Sequence, residues 1–332
     1  MRIGLIDVDG HNFPNLPLMK ISAYHKSQGD TVEWCIPLLH YDVVYMSKVF
    51  DETYSDDIDF VLQADRVVKG GTGYFRRKRD KTCEVFVRGK WINIGLETSF
   101  AIGNEVYNET LPNYVEHVYP DYHLYEDVVP WIRHTSMGFL TRGCPRACVF
   151  CLVSDKEGRC SFKVADLQEW HHSQSHITLL DPNILACRDH PALLQQLIDS
   201  KAYVDFNQGL DIRHTSERTI HLLNQVKVKN IHFAWDSAKD DLKPRFEAYK
   251  KLATHKPNGG YGTVYCLTNY DSTMEENLYR IYTLRDMGYD PYVMVYDKPH
   301  APKEIRKLQR WCNNIKIFKS CPRFEDYDPR RG

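Results

Sequence analysis

The chain has 332 residues, which at about 150 residues per domain predicts two domains, each large enough for its own core. There are 43 lysines and arginines against 44 aspartates and glutamates, and the resulting net charge of -1 argues against attachment to nucleic acid through a broad basic face. A composition of 42% hydrophobic and 26% charged residues excludes a disordered chain, and no apolar run approaches the roughly 18 residues of a membrane span.

The first 125 residues alternate strand and helix signals. Residues 3–8 are a strand-like opening with no secretory signal, so we expect a cytoplasmic protein without a membrane partner. A helix pattern begins at Leu16 and stops at Gly29, and strands are predicted at 42–46 and 64–68. This alternation predicts a doubly wound, Rossmann-like α/β domain over residues 1–125.

A single basic run occupies residues 76–81, just after the glycines at 70–73. Such a run predicts a solvated surface loop, with a nucleic-acid contact as the alternative.

A second series of strand and helix signals begins near residue 134. A proline at position 191 marks one helix start, and Thr273 with Glu276 forms a capping-box signature for a helix that ends near Gly288. The series predicts a partial (β/α)6 TIM-type barrel over residues 126–305, followed by a tail, 306–332, that packs on it. Its six predicted strands are 136–140, 176–180, 203–206, 230–234, 263–267 and 291–296.

Three of the ten cysteines, Cys144, Cys148 and Cys151, lie within eight residues directly after the first of these strands. In a reducing compartment such a cluster indicates metal ligation. Three thiolates on one short loop can hold three irons of a cubane cluster and leave the fourth iron open for a cofactor or substrate. The alternative is a structural zinc site completed by Cys160 or a histidine, although such sites usually bring two separated ligand pairs.

This loop, with Phe150 before the last cysteine, resembles the signature of the radical S-adenosylmethionine (radical SAM) superfamily. The resemblance covers residues 134 to about 300. It implies a [4Fe-4S] cluster that binds SAM at its open iron and receives one electron from a donor such as flavodoxin or ferredoxin. Cleavage of SAM then yields a 5′-deoxyadenosyl radical, which abstracts a hydrogen atom from the substrate.

Active sites of such barrels collect at the carboxyl ends of the strands. By position, the resemblance implies that Asp181 and Asn183 bind the SAM amino group and that Arg213 binds its carboxylate. Asp236 would reach the ribose hydroxyls, and the backbone near Tyr296 would reach adenine. For each of these residues a strand-end cap or turn is the alternative. The full set of implied SAM residues is Asp181, Asn183, Gln208, Arg213, Asp236 and Tyr296.

The strand ends of the N-terminal domain carry a second pattern. Their order resembles the cobalamin-binding signature Asp-x-His-x-x-Gly, Ser-x-Leu, Gly-Gly, although Pro14 and Val49 replace the glycine and the leucine. The resemblance implies a corrin at this edge, with the histidine as axial cobalt ligand or neighbour. In the alternative, a degenerate domain, the polar residues cap a turn and the glycines permit a tight loop. The residues concerned are Asp9, His11, Ser47, Gly70 and Gly71.

The leading hypothesis is a radical SAM enzyme, either a methyltransferase, in which case cobalamin could assist, or an oxidoreductase-type enzyme. A small-molecule or peptide substrate is favoured because it needs only an enclosed pocket. A tRNA- or DNA-modifying radical SAM enzyme is one alternative, but it would have to neutralise phosphates with a limited basic surface. A non-catalytic zinc-binding interaction protein is the other. The remaining cysteines of the barrel region and tail are predicted to be scattered buried residues, with an auxiliary cluster as the alternative: Cys160, Cys187, Cys266, Cys312 and Cys321.

Overall fold

The protein is described here from a computed structural model that covers residues 1–10, 12–58 and 62–330. The chain divides into two compact units. The first comprises Met1–Gly138, Gly143–Arg159 and Ala165–Ser175, and the second comprises Phe139–Arg142, Cys160–Val164 and His176–Gly332. The domain bounds expected from the sequence, 1–125, 126–305 and 306–332, stay predictions beside this division. Among the helices of the described ranges, none has both the length and the apolar character needed to cross a bilayer.

The first unit contains a six-stranded sheet and a separate three-stranded sheet. Its elements are β1 (Arg2–Asp7), α1 (Leu16–Ser27), β2 (Thr31–Trp34), β3 (Tyr41–Ser47), β4 (Ala64–Gly70), β5 (Phe75–Arg77), β6 (Cys83–Val87), β7 (Lys90–Gly95), β8 (Ser99–Ile102), β9 (Glu105–Asn108), α2 (Asn113–Glu116), β10 (Thr135–Gly138) and α3 (Val153–Lys156). The larger sheet has the order β2-β1-β3-β4-β9-β8, and every neighbouring pair in it is parallel except β8 with β9. The predicted parallel α/β sheet is therefore confirmed.

Helix α1 forms where the sequence indicates. Asn15 caps it by accepting a hydrogen bond from the Leu18 amide (3.2 Å), and Gly29 follows its end with a φ of +80°. Leu18 packs against Ile3 and Leu5 of β1, so the helix covers one face of the sheet.

Between β4 and β9, where the sequence predicted only a surface loop at residues 76–81, the structure has the antiparallel sheet β5-β6-β7. The buried residues Cys83, Val85 and Val87 alternate with less buried ones, as expected for a strand with one covered face. Arg88 and Gly89 both have positive φ (48° and 82°), the conformation that a two-residue hairpin turn needs.

The second unit alternates strands and helices. Its elements are β11 (Thr141–Arg142), β12 (Phe162–Lys163), β13 (His176–Leu179), α4 (His190–Ser200), β14 (Tyr203–Leu210), α5 (Glu217–Leu223), β15 (Lys227–Ala234), α6 (Lys243–Leu252), β16 (Thr263–Thr268), α7 (Met274–Met287), β17 (Asp290–Val295), α8 (Lys303–Asn313) and α9 (Ile315–Ser320). Strands β13 to β17 pair in parallel in sequence order. With β10 of the first unit, all six strands expected in this region are present, whereas their closure into a barrel stays a prediction.

Two local features of the second unit bear on the sequence analysis. The capping box of α7 is confirmed, because Thr273 accepts from the Glu276 amide and Glu276 accepts from the Thr273 amide. The predicted end of the third strand at 206 is wrong, since β14 continues to Leu210 through a register shift. Gly209, with a φ of +95°, lies within this irregular stretch.

Candidate functional site

The cysteine loop lies between β11 and α3. Gly143 (φ +80°) and Ala147 (φ +47°) bend the backbone on either side of the first cysteine. The Cys144 amide donates to the Gly158 carbonyl and the Cys151 amide to the Cys148 carbonyl, both at 3.1 Å. The first bond joins the start of the loop to the chain that follows α3, and the second closes a turn between the last two cysteines.

The donor chemistry of this loop fits an iron-sulfur cluster. None of the three thiols is fully buried, so each is placed on an accessible loop surface. Among residues 1–10, 12–58 and 62–330, no group of three or more His, Cys, Asp or Glu side chains is arranged to hold a metal ion. In a cubane cluster each thiolate binds a different iron, so the three sulfur atoms need not meet at one point as the ligands of a single metal ion do. Three soft thiolate ligands on one loop therefore suit such a cluster.

The other cysteines differ in environment. Cys187, Cys266 and Cys312 are buried, and burial raises the pKa of each thiol, to about 12 for Cys266. Metal ligation requires the thiolate, which burial disfavours at these three positions. Cys160 is exposed and Cys321 is half-buried.

Asp181, expected at the SAM amino group, is buried and is bound by the protein itself. Its carboxylate accepts hydrogen bonds from the Leu140 amide (3.1 Å), the Thr141 amide (2.5 Å) and the Thr141 hydroxyl (2.7 Å). Burial raises the pKa of Asp181 to about 6, although these donors favour the charged form. The carboxylate therefore fixes the chain a few residues ahead of Cys144.

Arg213, expected at the SAM carboxylate, lies between two acidic side chains. Its Nε donates to Asp211 (2.7 Å) and its Nη1 donates to Asp240 (3.0 Å). A bidentate bond to a ligand carboxylate would have to replace one of these pairs, and the local pair with Asp211 agrees with the structural alternative named for this residue.

The remaining residues implied for SAM lie at or near the carboxyl ends of the second unit's strands. Asn183 is buried, and its carbonyl accepts from the Ser161 hydroxyl (2.9 Å). Gln208 is exposed on β14, and Asp236 follows the end of β15. Tyr296 is exposed after β17, where its ring meets Tyr270 edge to face at 5.0 Å. Parallel strands bring these positions to one edge of the sheet, and their contacts with SAM stay predictions.

Arg280 of α7 is a residue at this edge that the sequence analysis missed. It is completely buried, and its guanidinium donates to the carbonyls of Trp235 (2.6 Å), Asp236 (2.7 Å) and Leu267 (2.8 Å). Asn277 accepts a further bond (2.6 Å), and burial lowers the pKa of the guanidinium. The sequence could have indicated this burial, because Arg280 precedes Ile281 on the face of α7 that is buried. Arg280 thus holds the ends of β15 and β16 in place.

At the carboxyl edge of the first unit, Asp9 is buried and binds the loop after β3. Its carboxylate accepts from the amides of Val49 (2.9 Å) and Phe50 (2.7 Å). Ser47 accepts a hydrogen bond from Asn15 (2.9 Å). His11 lies outside the described residues.

The glycines of this edge permit close approach of two loops. A Cβ at Gly71, where φ is +100°, would collide with the carbonyl oxygen of Lys48, and a Cβ at Gly73 would collide with that of Phe50. Gly70 accepts a hydrogen bond at its carbonyl from the Lys48 amide (3.0 Å). The loops after β3 and β4 are therefore packed backbone to backbone.

The basic run was expected to be a solvated loop, but Arg76 and Arg77 lie in β5. Arg77 forms a two-pronged ion pair with the buried Glu109, and Lys78 pairs with Glu84. Acidic partners thus offset a large part of the charge of this run.

Comparisons with known proteins establish the fold. No protein-family model and no curated protein matches the chain. Among solved structures, the radical S-adenosylmethionine methyltransferase TsrM from Kitasatospora setae, with cobalamin and a [4Fe-4S] cluster bound, matches with a TM-score of 0.58 at 9% identity, over 89% of this chain and 72% of that chain. TsrM with tryptophan substrate and the SAM analog aza-SAM bound matches with a TM-score of 0.46 at 10% identity, over 88% and 67% of the two chains. Over most of its length, this chain shares the fold of the first of these structures.

Proposed function

We propose that the protein is a cytoplasmic radical SAM enzyme that acts on a small-molecule or peptide substrate. Cys144, Cys148 and Cys151 would hold a [4Fe-4S] cluster through three irons and leave one iron for SAM. With an electron from a donor such as flavodoxin or ferredoxin, the cluster would supply the reductive cleavage of SAM to the deoxyadenosyl radical, which takes a hydrogen atom from the substrate. The observation that carries the proposal is this three-thiol loop in a chain with the fold of TsrM.

The chain's own residues would prepare the loop for this role. Asp181 binds the amides of Leu140 and Thr141, which fixes the segment leading into the loop. Arg280 fixes the backbone of Asp236, the residue proposed to reach the SAM ribose. Both act by positioning other groups, because their polar atoms are used within the protein.

Anaerobic purification followed by metal and sulfide analysis tests the proposal. We expect iron and acid-labile sulfide in equal amounts, and formation of 5′-deoxyadenosine when SAM and dithionite are added. Zinc without iron would instead support the non-catalytic zinc protein. A loaded iron cluster that yields no 5′-deoxyadenosine would also contradict the proposal.

We further propose that cobalamin binds the carboxyl edge of the first unit, which would make the reaction a cobalamin-assisted methylation. Two observations support this. Asp9, Ser47 and Gly70-Gly71 follow the ends of β1, β3 and β4, the edge at which parallel α/β sheets bind ligands. The matched TsrM structure, with this fold, has cobalamin bound.

Protein incubated with hydroxocobalamin should retain the corrin through gel filtration and show its visible spectrum. If His11 ligates cobalt, His11→Ala should shift that spectrum, whereas His40→Ala, at an exposed histidine paired with Asp65, should leave it unchanged. Passage of the protein without any corrin would contradict cobalamin binding and favour the degenerate domain.

A further inference from the structure

A cleft of about 310 Å³ opens in the first unit at the carboxyl ends of β3 and β4. The loop after β3, the three-stranded sheet and α3 form its walls. Leu152, which directly follows Cys151, lines it, so the cleft borders the cysteine loop. The cleft adjoins the edge proposed for cobalamin, because Val49 and Thr72 closely follow Ser47 and Gly71, although Asp9, Ser47, Gly70 and Gly71 do not themselves line it.

Four of the twelve residues that line the cleft are aromatic: Phe50, Tyr54, Phe75 and Trp91. Phe50 and Tyr54 are 46% and 62% exposed, which is high for such large rings. Trp91 is half-buried and is held by a hydrogen bond from its Nε1 to Glu52 (2.8 Å). Exposed ring faces around a small volume favour a ligand with a flat aromatic ring.

Arg76 supplies a cation that is held by two long ion pairs at an exposed position. Its guanidinium lies 4.2 Å from the centre of the Trp91 ring, which fixes its plane. The guanidinium forms ion pairs with Asp51 (4.0 Å) and Glu52 (3.8 Å), and exposed pairs of this length contribute little free energy, so an incoming acid can replace them. The planar fork is therefore ready to receive an acid group in a bidentate manner.

The other charged groups of the cleft favour an anion as well. Arg77 is neutralised by Glu109, and Lys156 of α3, which donates to the hydroxyl of Thr72 (3.0 Å), also lines the cleft. The lining holds three cations against two carboxylates. Arg76 is thus the group best placed to bind an incoming acid.

We propose that this cleft binds the substrate of the enzyme, a small molecule that combines a flat aromatic ring with an acidic group. The ring would lie against Phe50 and Tyr54, and the acid would bind Arg76. The volume is at the lower end of the about 300 to 1,000 Å³ of ligand pockets, which limits the ligand to one or two fused rings with a short acidic arm. That this ligand is the substrate rests on the proposed function. Its binding to the cleft does not, because binding can be measured without any reaction.

Isothermal titration of the anaerobically purified protein with indole-3-propionate tests the inference. Indole, which lacks the acid, and propionate, which lacks the ring, should each bind at least about tenfold more weakly, because each loses one of the two contacts. Phenyl phosphate, titrated alongside, distinguishes a phosphate from a carboxylate as the acid. Binding of either compound supports a ligand that combines an aromatic ring with an acid. The compound that binds more tightly shows whether the acid is a carboxylate or a phosphate.

Variants locate the binding. Arg76→Gln should weaken the affinity at least about tenfold, and Arg76→Lys should weaken it less, because lysine keeps the charge but not the fork. Arg79→Gln, at an exposed arginine of the same basic run outside the cleft lining, should stay within about twofold of the unaltered protein. A thermal melt identifies any variant that fails to fold. In that case Trp91→Phe, which keeps an aromatic ring beside Arg76, is measured in its place. Its affinity for indole-3-propionate should fall by less than the difference between indole-3-propionate and indole.

Two results overturn the inference: no binding of either aromatic acid, or equal affinity of Arg76→Gln and the unaltered protein. Iron content and 5′-deoxyadenosine are measured on the same samples. If the aromatic acid binds to a protein without an iron-sulfur cluster, the ligand site stands and the proposed radical SAM function is wrong. If SAM is cleaved but no aromatic acid binds, the proposed function stands and the ligand site is wrong.

Discussion

Replacing Cys148 by alanine should abolish SAM cleavage while the fold persists. Cys148 is half-buried on a loop outside the hydrophobic cores, and the bond between its carbonyl and the Cys151 amide does not involve the side chain. Loss of groups that merely orient a metal ligand already costs about 10- to 100-fold in affinity or activity, so loss of a ligand should cost more than about 100-fold. Iron content, the visible absorbance of the cluster and 5′-deoxyadenosine formation measure this, and circular dichroism checks the fold.

Cys160→Ala is the matched control. Cys160 is exposed and lies outside the three-cysteine motif, so its loss should leave iron and SAM cleavage unchanged. A Cys148→Ala protein that retains a full cluster would contradict the assignment. A Cys160→Ala protein that loses its metal would instead favour the zinc site with a fourth cysteine.

Replacing Arg280 by methionine should lower the free energy of unfolding by about 3 kcal/mol or more. The change leaves three carbonyls, of Trp235, Asp236 and Leu267, without their donor, and a buried unpaired polar group costs about 1 to 3 kcal/mol. Methionine matches arginine in helix propensity, so the effect isolates the lost bonds. Urea unfolding measures it.

Arg245→Met provides the comparison for this variant. Arg245 is an exposed arginine of α6, and its replacement should change the free energy of unfolding by less than about 0.5 kcal/mol. A loss of under about 1 kcal/mol in Arg280→Met would show that water satisfies the carbonyls, in contrast to the burial seen here. Arg280→Lys should fall between the two, because an ammonium group cannot reach all three carbonyls at once.

The parallel strands and helix ends were predictable because their signals are local. Apolar segments predicted β1, β3 and β4 of the first sheet and all six strands expected in the second series, Leu16 and Gly29 marked the two ends of α1, and the capping box predicted the start of α7. The sheet β5-β6-β7 was missed although Cys83, Val85 and Val87 show the two-residue period, because the basic run at the start of this stretch predicted a surface loop.

The candidate site was predictable in its cysteines and less so elsewhere. A run of three closely spaced thiols has few structural uses, whereas a polar residue after a strand can face a ligand or a neighbouring backbone. Asp181 binds the amides of Leu140 and Thr141, which are about 40 residues earlier in the chain. Arg213 binds Asp211 in its own turn and Asp240, 27 residues later. Such pairings depend on tertiary structure, which residue type and spacing do not encode.

The close packing of the loops after β3 and β4 has a consequence for the cost of ligand binding. Asp9 secures the amides of Val49 and Phe50, while Gly71 and Gly73 let the neighbouring loop press against the same stretch of backbone. A ligand that must order a mobile loop spends part of its interaction free energy on the lost conformational entropy. Here the backbone is already ordered by internal contacts, so only the rotamers of side chains such as Phe50 and Tyr54 remain to be fixed. Little of the interaction free energy of a small ligand at this edge is therefore lost to ordering the backbone, and most of it contributes to the binding free energy.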